Sequence, residues 1–216
     1  MTLLKRSTIR TALLAAAIGT LLLPCAAWLS GCDGEDNNPL VPSVRPLYHD
    51  TDLELDSGLL GTWTDESDDV KLVFEPDEQN QAYKLTISET EDQKETRGEF
   101  SAHLVHLGSD WLLDLYPNDL QSGSDIFKMH FVKAHTFVRI DRDRNQLQFA
   151  FLSSDWLREH IADKSVDTPH EMLDGGVLLT GSVDDLQDLL YLYADDTKAF
   201  SLDANFVRTP EPPQQE

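Results

Sequence analysis

Apolar and polar residues alternate with a period of two through most of the middle of the chain. In the clearest example, Tyr83, Leu85 and Ile87 are separated by Lys84 and Thr86, which is typical of a strand with one buried face. Similar apolar patterns occur at residues 70–74, 100–104, 111–115, 131–140 and 147–151. Polar connectors separate these segments, so the sequence predicts an antiparallel meander that forms a barrel or a strongly curved sheet.

Two helices are predicted late in the chain. Asp155 is placed to cap a short helix carrying Trp156 and Leu157. The segment Ser182-Val-Asp-Asp185 resembles a capping box, and an apolar stripe with helical spacing follows it at Leu186, Leu189, Leu190 and Tyr193. Residues 200–207 predict a final strand. Strands followed by helices, without an alternating strand and helix order, favour an α+β fold over a Rossmann-type sheet.

The N-terminus has the features of an export signal. A basic start is followed by an apolar run over residues 12–29, as in the first two regions of a secretory signal peptide. The run ends in Leu29-Ser30-Gly31-Cys32, which resembles the lipobox of bacterial lipoproteins. This resemblance implies cleavage before Cys32 and attachment of lipid to its thiol, and two or more acyl chains on one cysteine give stable membrane attachment.

Two other interpretations of this segment compete with lipidation. Cys25-Ala26-Ala27 is an alternative cleavage site of small residues that would release a soluble protein, and the whole segment could remain as an anchor, although Pro24 interrupts it. In lipoproteins of bacteria with two membranes, an aspartate at the position of Asp33 resembles the signal for retention in the inner membrane. The chain has no cysteine after Cys32, so no disulfide can stabilise the mature domain.

The sequence divides into four parts. Residues 1–31 are the predicted signal peptide, and residues 32–56 are the lipidated cysteine and a flexible tether, since this stretch contains three prolines and no apolar period. Residues 57–209 are a single α+β domain. Residues 210–216 are a predicted disordered tail rich in proline and glutamine.

The charge of the chain restricts its partners. The formal net charge is -22, and removal of the basic signal peptide makes it more negative. Nucleic acid and anionic headgroups are therefore excluded as direct partners, because their binding requires Lys and Arg. A basic envelope protein, divalent cations or simple solubility remain compatible with the acidic surface.

A short motif at the first predicted strand of the domain resembles a known family. Gly61-Thr62-Trp63 is similar to the opening Gly-x-Trp motif of lipocalins and related small β-barrels. The resemblance implies a barrel with a binding cavity, in which the tryptophan plugs one end and an arginine near the C-terminus lies over it. Arg208 would be that arginine. The later motifs of the family are not found, and two helices precede the last strand where one is usual.

The sequence contains no complete catalytic or metal-binding motif. Residues 141–145 begin like an EF-hand loop, but Gln146 and Leu152 stand where that loop needs glycine and glutamate, so a charged hairpin turn is predicted. His103 and His106 are three residues apart on a strand and should point to opposite faces. His130 and His135 are five residues apart and fail the same test if their strand is regular. No obvious third ligand accompanies His160 and His170 near the first helix. We predict no metal and no cofactor, and we assign no catalytic residue.

The aromatic residues of the predicted strands have two interpretations. They fill the interior of a small barrel, or some of them line a cavity for an apolar ligand; they are Trp63, Phe74, Tyr83, Phe100, Trp111 and Phe149. We therefore expect a membrane-anchored envelope lipoprotein that binds an apolar or amphipathic small molecule without catalysis. The alternatives are an acidic module that binds a basic envelope protein and a hydrolase whose residues converge only in the fold.

Overall fold

The structure is a computed structural model that describes residues 40–118 and 132–210. It contains two helices, α1 (Ser154–Ala162) and α2 (Val183–Tyr193), and a short 3-10 turn at Asp50–Asp52. The strands are β1 (Pro42–Ser43), β2 (Leu53–Glu54), β3 (Gly61–Thr64), β4 (Val70–Asp77), β5 (Ala82–Glu91), β6 (Lys94–Leu107), β7 (Asp110–Pro117), β8 (His135–Arg142), β9 (Gln146–Phe151), β10 (His170–Leu173), β11 (Gly176–Leu179) and β12 (Leu202–Arg208).

Eight of these strands close into an antiparallel barrel. Strands β3 to β9 pair consecutively, and β12 returns to lie between β9 and β3. Pairing of β8 with β9 completes the closure. The predicted antiparallel barrel with two late helices is therefore confirmed, and so is a final strand in the region of residues 200–207.

The two ends of the barrel are built differently. At one end, residues 56–60 lie across the strands, and the β4–β5, β6–β7 and β8–β9 turns surround them; we call this the plugged end. At the other end β12 begins and the long β5–β6 hairpin extends past the first residue of β4. We call it the pocket end, because an internal cavity lies there.

Residues 40–55 cross the outside of the barrel from the pocket end toward the plugged end, and we call them the strap. β1 pairs with β8 and β2 pairs with β6, while Val41 and Leu47 are buried. The flexible tether predicted for residues 32–56 is therefore wrong from residue 40 onward. Isolated apolar side chains, with no period to reveal them, anchor this segment on the sheet. The remaining tether residues lie outside the described part of the chain.

A second apolar core lies on the outer face of the barrel. The helices and the β10–β11 hairpin pack there against outward-facing residues of β7, β8 and β9, such as Leu112 and Phe137. The capping box of Ser182 and Asp185 on α2 is confirmed. The cap predicted for α1 is wrong, because the Ser153 side chain rather than Asp155 accepts the Trp156 N–H. The β10–β11 hairpin was not predicted.

The N-terminal predictions concern residues that the structure does not describe. Cys32 and the predicted signal peptide lie before residue 40, and residues 211–216 of the predicted tail follow the described range. Within the described ranges, no helix combines the length and the apolar character needed to cross a membrane.

Candidate ligand pocket

The plugged end is held together around Trp63. This side chain is fully buried, and its Nε1–H donates to the Leu59 carbonyl at 2.9 Å. The guanidinium of Arg208 lies over the ring, with its carbon 4.1 Å from the ring centroid. Arg208 also donates to the carbonyls of Leu60 at 2.7 Å and Arg144 at 3.1 Å and to that of Gly58. The Arg208 side chain thus connects residues 58 and 60, at the plugged end, to the β8–β9 turn.

A second arginine fixes the start of the plug. Arg142 pairs with the carboxylate of Asp56, and the Asp56 N–H donates to the Tyr83 hydroxyl at 2.6 Å. Burial is the main cause that raises the pKa of Tyr83, which therefore remains a neutral hydrogen-bonding group. A β-carbon on Gly58 would lie 2.5 Å from the Arg142 guanidinium carbon, so any other residue here would displace the end of the arginine side chain. Two arginines thus hold residues 56–60 in place at this end of the barrel.

The pocket end encloses an apolar cavity of about 100 Å³. Its walls are almost entirely aliphatic and aromatic side chains from seven strands of the barrel and from the start of the strap. The lining residues are Leu40, Val70, Leu72, Ile87, Phe100, Leu115, Thr136, Phe149, Phe151, Leu202, Asp203, Ala204 and Phe206. Asp203 accepts from the Gln148 side chain and is exposed, so it places no charge at the centre of the cavity.

The predicted aromatic residues divide between the two ends. Phe100 and Phe149 line the cavity. Trp63, Phe74 and Tyr83 are buried in the packed core nearer the plugged end, so for these three the interpretation as a filled interior describes the structure. Trp111 is partly buried and stacks on His106, with the ring centroids 4.2 Å apart. The six aromatic residues therefore all lie on the inner faces of their strands, as predicted. Their positions along the barrel axis, which decide whether they line the cavity, were not predicted.

A recess of about 220 Å³ adjoins the cavity on the β5–β6 hairpin. The two spaces share Ile87 and Phe100 as lining residues, and the recess is completed by Glu89, Thr96, Arg97 and Gly98. Glu89 lies directly opposite Val70, a wall residue of the cavity. Opposite residues of an antiparallel pair share a face, so Glu89 lies on the inner face of the hairpin.

Glu89 is a partly buried carboxyl group with no counter-ion among the described residues. Burial, and secondly repulsion by Glu91, raise the pKa of Glu89. The neighbouring Arg97 does not neutralise it, because its guanidinium lies 3.4 Å from the Glu99 carboxylate and 3.4 Å from the Thr86 hydroxyl on the outer face. The recess therefore presents an uncompensated acid beside an apolar cavity.

A polar cluster lies under the strap on the outer face of the barrel. Asp114 is fully buried and accepts hydrogen bonds from the Leu47 N–H at 2.8 Å and from the His135 Nδ1 at 2.7 Å. Across the strand pair, the His103 Nε2 lies 3.3 Å from the Tyr48 hydroxyl. Burial is the main cause that lowers the pKa of His103 and raises that of Tyr48 to about 12. The buried His103 ring and the partly buried Tyr48 ring therefore stay neutral near the Asp114 carboxylate.

The geometry of this cluster favours a structural role. Asp114 and His135 resemble two members of a catalytic triad, but the Ser43 hydroxyl on the adjacent strand donates to the Arg45 carbonyl at 2.8 Å. A buried carboxylate is costly unless hydrogen bonds satisfy it, and here both bonds fasten the strap and the start of β8 to β7. The cluster accordingly explains why residues 40–55 lie on the barrel.

The structure places most of the histidines and the calcium-like loop that were considered as metal ligands. His103 and His106 lie on opposite faces of β6, as their spacing required: one is buried under the strap, and the other stacks on Trp111. Residues 141–145 form the end of β8 and the charged turn that joins it to β9, closed by the Asp143 N–H to Gln146 carbonyl bond of 3.0 Å. His130 lies outside the described residues. Over residues 40–118 and 132–210, no three His, Cys, Asp or Glu side chains are close enough to hold a metal ion.

Comparison of the chain with protein-family models, with curated proteins and with solved structures found no match. The case for a function therefore rests on the geometry of the pocket end.

Sequence reasoning missed several residues of this region. Glu89 continues the inner-face alternation of Tyr83, Leu85 and Ile87 by one step, and this signal was present in the sequence. Leu40 carried no comparable signal, because it stands alone in a proline-rich stretch and reaches the cavity only through the course of the strap.

Proposed function

We propose that this protein is a lipid-anchored envelope protein that binds an apolar or amphipathic small molecule at the pocket end of its barrel, without catalysing a reaction. The observation that carries the proposal is the apolar cavity, whose walls come from inward-facing side chains of the barrel strands. An apolar cavity of this kind excludes water and favours hydrocarbon.

The size of the cavity limits its ligand. Ligand pockets usually measure roughly 300–1,000 Å³, and an apolar cavity of about 150 Å³ accommodates a benzene ring. The cavity of about 100 Å³ thus fits the end of one hydrocarbon chain, and the remainder of the ligand must extend toward the adjoining recess. A slender chain suits this shape better than a bulky ring system.

The course of the strap supports a ligand taken from the membrane. Leu40 lines the cavity and stands eight residues after Cys32, the proposed lipid attachment site. A chain of that length spans at most roughly 28 Å. An anchor at Cys32 would therefore keep the pocket end within about that distance of the bilayer surface, where amphipathic molecules are concentrated.

The proposal is tested by filling the cavity with a larger side chain and measuring ligand binding. Ala204 lines the cavity from β12, and Asn205 is the exposed next residue on the opposite face of the same strand. We expect native mass spectrometry and calorimetry with octanol to detect binding to the wild-type protein and to Asn205→Leu. Ala204→Leu should lower the affinity at least about tenfold, because its side chain occupies the space of the ligand.

Two outcomes would contradict the proposal. One is a wild-type protein that shows no octanol binding and no excess native mass. The other is an equal affinity of the Ala204→Leu and Asn205→Leu variants for octanol, which would place binding elsewhere on the molecule.

A further inference from the structure

The cavity and the recess together have the form of a site with two chemically different halves. They share the side chains of Ile87 and Phe100, so a ligand whose tail lies in the cavity passes these two residues as it leaves. The volumes of about 100 Å³ and about 220 Å³ add up to the lower range of natural ligand sites. The recess determines which head group the site accepts.

The charge of the recess is set by Glu89. Its carboxyl group is partly buried on the inner face of the β5–β6 hairpin, opposite Val70, and none of the described residues pairs with it. Glu91 adds a second negative charge near the end of the same strand. The only base lining the recess is Arg97, whose guanidinium is already engaged by Glu99 and Thr86.

We propose that the cavity and the Glu89 recess form one site for an amphipath that has an aliphatic tail and a single cationic head group, with an alkylammonium as the simplest example. The tail fills the cavity, and the ammonium group lies beside the Glu89 carboxylate. This inference rests on the proposed function, since it requires that the cavity hold a hydrocarbon chain.

The electrostatics of the recess agree with this assignment. A carboxyl group that loses hydration without gaining a partner is destabilised in its charged form, and burial and Glu91 raise the pKa of Glu89 in the free protein. An ammonium group supplies the missing counter-charge and restores the ionised form. An anionic head group would instead face two carboxylates, and a neutral one would leave Glu89 uncompensated.

The test compares three ligands with one tail. Octylammonium, octanol and octanoate are titrated calorimetrically into the full exported protein, and Ala204→Leu serves as the correction for binding outside the cavity. We expect octylammonium to bind about tenfold more tightly than octanol, as one partly screened ion pair allows, and octanoate to bind most weakly.

Two variants assign the preference to a single carboxylate. Glu89→Gln should remove the preference for octylammonium over octanol. Glu95→Gln is the matched control, because Glu95 is exposed on the same hairpin and its replacement changes the net charge equally. It should retain the preference.

The possible failures are distinguishable. The cationic head group would be overturned, and the hydrocarbon site left intact, if the wild-type protein bound octanol and octylammonium equally or preferred octanoate. The same conclusion would follow if Glu89→Gln and Glu95→Gln lost the preference for octylammonium to the same extent. Failure of octanol to bind the wild-type protein would overturn the proposed function itself.

Discussion

The two ends of this barrel use the same alternating sequence pattern for opposite purposes. At the plugged end, large side chains fill the interior and two arginines fasten residues 56–60 across the strands. At the pocket end, an apolar cavity of about 100 Å³ remains between the inward-facing side chains, four of which are phenylalanines. Alternation therefore specifies which residues point inward, but it does not specify whether the interior at a given depth is a core or a cavity.

The difference also concerns charge. The two arginines of the plugged end have partners: Arg142 pairs with Asp56, and Arg208 lies over Trp63 while donating to backbone carbonyls. At the pocket end, Glu89 has no partner among the described residues. Glu89 is partly exposed beside the apolar cavity, so its carboxylate is available to a cationic group of a ligand.

The largest expected effect comes from emptying the plugged end. Trp63→Ala should lower the free energy of unfolding by about 3–5 kcal/mol, because it removes a fully buried aromatic ring and leaves a void beneath Arg208. Urea denaturation followed by circular dichroism measures the change. Trp111→Ala is the matched control: Trp111 is partly buried and stacks on an exposed His106, so its loss should cost less than half as much. Equal losses for the two tryptophans would contradict the fully packed environment assigned to Trp63.

The barrel was predictable because its strands are amphipathic and separated by polar turns. The pattern at Tyr83, Leu85 and Ile87 identifies an inner face without further information, and β5 has that face. The strap was not predictable, because its position depends on residues far along the chain. Leu47, for example, is buried, and its N–H donates to the Asp114 carboxylate. No local pattern marks such a segment as structured.

The candidate site was only partly visible in the sequence. Phe100 and Phe149 were identified as inward-facing aromatics, and both line the cavity. Depth along the barrel depends on strand register and on what plugs each end, which are non-local properties. This explains why Trp63 and Tyr83, which have the same alternation, belong to the packed end.

A smaller effect should come from adding the same three carbon atoms to the packed core and to the cavity. Ala102 is fully buried in the packed core, so Ala102→Leu should destabilise the protein by about 1–3 kcal/mol through overpacking. Ala204→Leu enters the cavity and should change the free energy of unfolding by less than about 1 kcal/mol in either direction. The comparison uses urea denaturation of both variants beside the wild-type protein. A larger destabilisation by Ala204→Leu than by Ala102→Leu would mean that the cavity cannot accept hydrocarbon.

The smallest effect concerns the pH dependence of the pocket end. Burial and Glu91 raise the pKa of Glu89 above its ordinary value of 4.5, so the folded protein holds this proton more tightly than the unfolded chain. The resulting stabilisation is complete below about pH 4, where both states are protonated, and is lost as pH rises through the folded-state pKa. Glu89→Gln removes this loss, so its stability relative to the wild-type protein should increase from pH 4 toward pH 7, measured from urea midpoints of the ligand-free proteins. Glu95→Gln should show no such pH-dependent gain. A pH profile shared by the two variants would mean that Glu89 is as well solvated as an exposed glutamate, and the contrast in charge between the two ends would then disappear.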